Sequence, residues 1–149
     1  MNNFKFLEIT GYSKLPKESA EIRIKVFVEE QGFEEEFDSD DERSMHFVGY
    51  TNNKAVGTCR LITIDPDNCR YAIGRVAVLK EYRGCGIASE LIKAAERYIA
   101  EAKKPEHTAT VLIHSQLTAV GFYEKLGYVQ TGERDFEQDC PHAMLSKKI

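Results

Sequence analysis

The stretch Glu81–Ile99, "EYRGCGIASELIKAAERYI", sets two glycines two residues apart and then runs directly into a helical pattern. From Gly86 to Lys103 the apolar positions Ile87, Leu91, Ala94, Ala95, Tyr98 and Ile99 share one helical face, and Pro105 stops the run. Just upstream, "CRYAIGRVAVLK" (Cys69–Lys80) reads as a strand. A strand, a glycine turn and a helix N-terminus in that order gather free backbone N–H groups at the positive end of the helix dipole, which is what a phosphate requires. Gly84 and Gly86 leave those amides bare, and Arg83 adds a fixed charge beside them. The same turn also fits a tight corner between two core elements. Neither G-x-G-x-x-G, where Ser89 stands at the third glycine position, nor G-x-x-x-x-G-K-[ST] is present.

Outward from this stretch the element order becomes legible. "FKFLEIT" (Phe4–Thr10) alternates as a strand, and Lys17–Glu30 carries Ala20, Ile24, Phe27 and Val28 at helical spacing. "SMHFVGYTNNKAVGTCRLITID" (Ser44–Asp65) reads as two strands joined at the turn cluster Asn52-Asn53-Lys54. Downstream, "HTATVLIHS" is a β-branched run fit for a buried strand, and "LTAVGFYEKLG" is a helix ending near Gly127. "YVQTGE" and "PHAMLSKKI" supply two last strands. The order β-α-(acidic loop)-β-β-β-α-β-α-β-β predicts an α/β chain with a mixed sheet covered by helices.

With 149 residues and no internal repeat or Gly/Ser/Pro-rich linker, residues 1–149 are expected to form one domain. No apolar run approaches the length of a membrane span and the N-terminus lacks a secretory pattern, so no membrane partner and a cytoplasmic location are expected. Cys59, Cys69, Cys85 and Cys140 are widely spaced with no CxxC pair, which suggests neither a metal site nor a disulfide framework. The net charge of −4 argues against nucleic acid as a partner. That charge is unevenly spread. Nine of the fourteen residues from Glu29 to Glu42 are acidic, leaving +5 on the rest of the chain. The segment reads either as a solvated, self-repelling loop or as a negative rim that draws a cationic substrate such as an amine. An EF-hand loop is not matched, because "DSDDERSMHFVG" lacks the sixth-position glycine and the terminal glutamate.

Two stretches together carry a family resemblance. "RVAVLKEYRGCGIASELIKAAERYI" and, about thirty residues on, "SQLTAVGFYEKLGYVQTGE" resemble the GCN5-related N-acetyltransferase (GNAT) superfamily. Its [Q/R]-x-x-G-x-[G/A] motif is matched by Arg83, Gly86 and Ala88, and its Tyr-bearing helix ending in Gly-aromatic by Phe122–Tyr128. The amino-terminal half is similar to the ElaA/YjcF-like branch: Arg23, Val26, Phe27, Val28, Glu30 and Gln31, then Glu36, Asp38, Asp41 and His46. The tail pattern E-x-x-[I/V]-P-H-x-x-M is met by Glu137, Pro141, His142 and Met144, with Cys140 in place of the aliphatic residue.

The resemblance implies a GNAT-type, mostly antiparallel sheet of six to seven strands flanked by helices. It also implies acetyl-CoA as co-substrate, an amine as acceptor and, commonly in the superfamily, a homodimer. Main-chain groups of Val76, Ala77 and Val78 would hold the pantetheine arm, and Arg83, Gly84, Cys85, Gly86, Ile87 and Ala88 the pyrophosphate; Gln116 and Phe122 would also contact the cofactor. A backbone amide near Val78 or Leu79 would polarise the thioester carbonyl, and Tyr123 would touch the cofactor and protonate the departing thiolate. A phenol is suited to that donation. For the proton on the incoming amine the candidates are Glu36, Asp38, His46, His114 and His142, with Glu36 and His46 preferred. Arg23 is expected to pair with the carboxylates of the acidic loop and anchor it against the first helix; Arg60 is ambiguous and reads as a snorkelling surface residue. Two other readings stand beside the enzyme: a domain that binds acyl-CoA without catalysis, and an acyltransferase like the acyl-homoserine-lactone synthases.

Overall fold

Apolar side chains on both faces of the hairpin strands make them the middle of a sheet. In the computed structural model, which describes residues 6–34 and 37–149, Ser44–Thr51 (β2) and Lys54–Asp65 (β3) are buried along most of their length. Asn52 and Asn53 join them with positive φ of 50° and 64°, the left-handed pair that a two-residue hairpin needs and asparagine tolerates. Glu8–Tyr12 (β1) flanks β2, and Arg70–Val78 (β4) flanks β3. The expected first strand began at Phe4, which lies outside the described residues. Thr110–Gln116 (β5), Val129–Glu137 (β6) and Cys140–Lys148 (β7) complete a seven-stranded sheet in the order β1-β2-β3-β4-β5-β7-β6. Every pairing is antiparallel except β4 with β5, where the crossover through the helix Ile87–Ala102 (α2) makes the strands parallel. The mixed, mostly antiparallel sheet is therefore the one implied by the resemblance.

Helices cover both faces. Gly57 of β3 turns to α2, and a Cβ there would come within 3.0 Å of Ile87 and 3.1 Å of Leu91. The next residue, Thr58, points the other way and hydrogen-bonds Ser19 at 2.6 Å on the helix Lys17–Arg23 (α1). Ile87, Leu91, Ile92, Ala95 and Ile99 of α2 are at most 2% exposed and form the main core with Ile73, Val111, Ile113 and Leu145. Tyr98 was expected on that face but is half exposed, with its ring edge against Phe47.

The first helix departs from its expected course. From Ile24 to Glu30 its hydrogen bonding widens to a π-helix, in which Gln31 N–H donates to the Val26 carbonyl at 3.1 Å. The inward face becomes Ser19, Ile22, Arg23 and Val26, while Ile24 turns outward. The apolar residues of "IRIKVFV" surround the helix, so their spacing does not choose a face, and a buried partner for Arg23 does. Among the described residues, no helix is long and apolar enough to cross a membrane.

Candidate functional site

The glycine turn opens a wedge. β4 and β5 are paired only from Arg70/Thr110 to Ile73/Ile113, and beyond that point they part. At the divergence Arg75 has φ of 50°, and the register of β4 against β3 slips between Thr58 and Arg60, so β4 bulges beside the gap. The turn after β4 places Gly84 and Gly86 at φ of 76° and 85°, conformations that L side chains resist, with Gly86 capping α2. A Cβ at either glycine would meet nothing within 4 Å, so the space over these amides is open. Open amides ahead of a helix N-terminus are what an anion cradle requires.

The contacts at the turn narrow two expectations. Arg83, expected to stand as a cation over the amides, grips Glu30 with both guanidinium nitrogens at 2.6 Å and donates Nε–H to the Val78 carbonyl at 2.9 Å. The hydrogen bond to that arginine holds the Glu30 carboxyl below its ordinary range, against an opposing effect of burial. Leu79 spends its N–H on the Val56 carbonyl at 2.9 Å, which leaves Val78 as the candidate donor to a thioester carbonyl.

Between the parted strands lies a cleft of about 180 Å³, lined among others by Val76, Gln116, Tyr123, His114, Glu137 and His142. Tyr123, on the short helix Val120–Lys125 (α3), is 7% exposed with its ring packed edge-on against Phe122 and Tyr128. Burial, helped by the nearby Cys59, pushes its phenol pKa above the ordinary value, so the hydroxyl keeps its proton at neutral pH. Gln116, at the end of β5, donates its side-chain N–H to Gln31 Oε1 at 2.8 Å. His114 and His142 stack with ring centroids 4.5 Å apart, and Glu137 lies against both. Glu137 had entered the sequence reading only as part of a tail pattern. Its spacing from Asp135, two residues along a strand and hence on one face, was the available sign.

The acidic segment divides into two roles. Asp41 accepts from Arg23 at 2.8 and 3.1 Å and from Arg60 at 3.1 Å, and Arg60 also reaches Asp38 at 2.7 Å. The backbone N–H of Asp38 donates to Asp41 at 3.2 Å, so both carboxylate oxygens are taken twice. Arg75 joins from the bulge, 3.2 Å from Asp38. Arg23 is 1% exposed and Asp41 5%. These carboxylates anchor the segment to the sheet instead of forming a free rim, as expected for Arg23; Arg60 proves to belong to the same anchor.

His46 is corrected in the same way. It is wholly buried on β2, its Nε2–H donates to the Asp41 carbonyl at 2.9 Å, and burial lowers its pKa, so it is a neutral part of the anchor away from the cleft. Glu36, the other preferred proton acceptor, lies outside the described residues.

The anchor has a pH signature. Burial alone would raise the Asp41 pKa, but Arg23, Arg60 and the Asp38 amide outweigh it and hold it at about 2. A carboxyl depressed on folding stabilises the fold fully above its unfolded pKa of about 3.9 and loses that contribution as pH falls through its folded pKa. We expect the urea midpoint to drop between pH 4 and pH 2 by the equivalent of about 2 kcal/mol, and Asp41→Asn to flatten that dependence. An unchanged slope in the variant would show the contribution to be small.

Residues 13–149 match the family described as an acetyltransferase (GNAT) domain. An uncharacterised N-acetyltransferase of Bacillus subtilis, YjcF, is 32% identical over 134 residues, covering 88% of this chain and 91% of its own. The crystal structure of a candidate N-acetyltransferase from Lactobacillus plantarum superposes with a TM-score of 0.81 at 30% identity, over 95% of this chain and 97% of that one. Escherichia coli ElaA gives a TM-score of 0.81 at 25% identity, over 95% and 99%.

Proposed function

The chain belongs to the acetyltransferase (GNAT) domain family, and on that premise we propose that it transfers an acetyl group from acetyl-CoA to a primary amine by direct attack on the thioester. The observation that carries this reading is the parting of β4 and β5 beyond Ile73 and Ile113, which opens a cleft lined by the buried, protonated phenol of Tyr123, while the bare glycine turn follows the end of β4. Gly84, Gly86 and the first amides of α2 would hold the pyrophosphate, with Cys85, Ile87 and Ala88 completing the turn. Arg83 would share its charge between Glu30 and that anion. Val76, Ala77 and Val78 would offer main-chain groups to the pantetheine arm. When an amine adds to the thioester, negative charge develops on the carbonyl oxygen and then on the sulfur. The Val78 amide would meet the first charge, and the Tyr123 hydroxyl would protonate the second. Gln116, held by Gln31, and Phe122 would wall the cofactor's reactive end.

A thiol-release assay with acetyl-CoA and a panel of primary amines, with the acetylated product identified by mass, tests the reading. Turnover on an amine supports it. Tight acetyl-CoA binding with no turnover on any amine would instead make the chain an acyl-CoA-binding regulatory domain.

Gly86→Val tests the cradle separately. A valine Cβ at φ of 85° is strained by roughly 1–2 kcal/mol and projects into the space over the amides. We expect the dissociation constant for acetyl-CoA, by calorimetry, to rise at least about tenfold as the bulkier side chain crowds the anion. Unchanged affinity in a folded variant would remove the turn from the cofactor site.

A further inference from the structure

Three groups that can accept hydrogen bonds meet in the cleft. His142 donates Nδ1–H to the Cys140 carbonyl at 2.8 Å, which in the neutral ring leaves its Nε2 bare. His114 Nε2 lies 2.5 Å from Asp135 Oδ1, and because a carboxylate only accepts, that nitrogen carries a hydrogen and in the neutral ring Nδ1 is bare. Both bare nitrogens face one carboxylate: His114 Nδ1 is 3.5 Å and His142 Nε2 3.7 Å from Glu137 Oε2. The ligand atoms of the three residues lie within 4.8 Å of one another. Lone pairs gathered so closely repel unless a proton on one ring, or a bound cation carrying hydrogens, sits among them. The surroundings favour one. Asp135 and Glu137 of β6 face the two imidazoles, Arg75 of β4 lies 3.8 Å from Glu137 Oε1 and is shared with Asp38, and Tyr123 of α3 is uncharged.

We propose that His114, Glu137 and His142 bind the ammonium group of the acceptor and that His142 Nε2 takes its proton; this rests on the acetyltransferase reading above. Register selects His142 over His114. It pairs with Gln116 at the open end of β5, whereas His114 lies one residue beyond the last β4–β5 pair. Its hydrogen bond to the Cys140 carbonyl fixes the tautomer that can accept, and Glu137 stabilises the imidazolium that forms.

Two protons leave the nitrogen in all. The ammonium gives the first to His142 Nε2, from which it passes to solvent. The freed lone pair forms the N–C bond to the thioester carbon, and the C–S bond breaks with its electron pair on sulfur. Tyr123 gives the sulfur its proton, and the second proton of the nitrogen restores the phenol. The products are an amide and a thiol.

The test uses two probe amines of similar size with wild type, His142→Gln and Glu137→Gln. An alkyl primary amine is an ammonium ion at neutral pH and must lose a proton; an alkoxyamine is already uncharged. We expect His142→Gln to lose at least about tenfold in kcat/KM toward the alkylamine and less than about twofold toward the alkoxyamine, with acetyl-CoA affinity unchanged. Glu137→Gln, which only removes a charge from a partly exposed carboxylate, is expected to weaken the alkylamine alone. Equal losses toward both amines, or none, would overturn the proposal, and so would an activity abolished by chelation and restored by zinc, which would make the trio a metal site. Titration of the wild-type imidazole NMR signals with the alkylammonium ion separates this proposal from the broader reading. Shifts of His114 and His142 that vanish in Glu137→Gln support the cation subsite even if no amine is acetylated, and their absence overturns it.

Discussion

Asp41→Ala is expected to lower the unfolding free energy by about 3–5 kcal/mol, the range for removing one partner of a buried ion pair. The cost comes from what stays behind. Arg23, 1% exposed, and Arg60, 5% exposed, would lose the carboxylate that accepts from both, and neither guanidinium can be neutralised by giving up its proton. Asp38 would still reach Arg60, so the loss falls chiefly on Arg23. Asp40→Ala is the control. Asp40 pairs with Arg43 on the surface, where an exposed ion pair contributes about 1 kcal/mol or less. Denaturant unfolding of both variants should therefore show a large shift in midpoint for the first and a small one for the second. Comparable small shifts in both would show that Asp41 does not hold the acidic segment to the sheet.

Tyr123→Phe is expected to reduce kcat by about 10²–10³-fold while changing acetyl-CoA affinity by less than about threefold. The substitution keeps the ring, with its edge-on contacts to Phe122 and Tyr128, and removes only the hydroxyl. Because burial keeps that hydroxyl protonated, its loss takes away a proton donor and leaves the packing intact. Thermal unfolding of the variant should lie close to that of wild type, within about 1 kcal/mol. Equal losses in turnover and affinity would mark Tyr123 as a packing residue, and an unchanged kcat would move the donor elsewhere.

Much of the architecture was legible because it is written in short periods. The face of α2, the two-asparagine hairpin and the alternation of the strands each depend on residues within one or two turns of each other. The glycine turn was legible for the same reason, since a strand end, Gly84, Gly86 and a helix start are consecutive. The π-helical widening after Arg23 was not, because "IRIKVFV" offers apolar residues all round and the choice of face waits on Asp41, eighteen residues away.

The amino-acid sequence by itself determined the order of elements, the place of the glycine turn and the excess of negative charge between Glu29 and Glu42. Only the tertiary structure decided which charges are solvated and which side chains share the cleft. His114, Glu137 and His142 come from three strands, and they meet because β5 pairs with β7 at Gln116/His142 and β6 pairs with β7 at Asp135/His142. A slip of one residue in either register would turn the group to opposite faces of the sheet. Local spacing cannot state such a register, because it is set by pairing between strands far apart in the chain; burial drew Asp41 and His46 into the anchor and left the cleft to the tail.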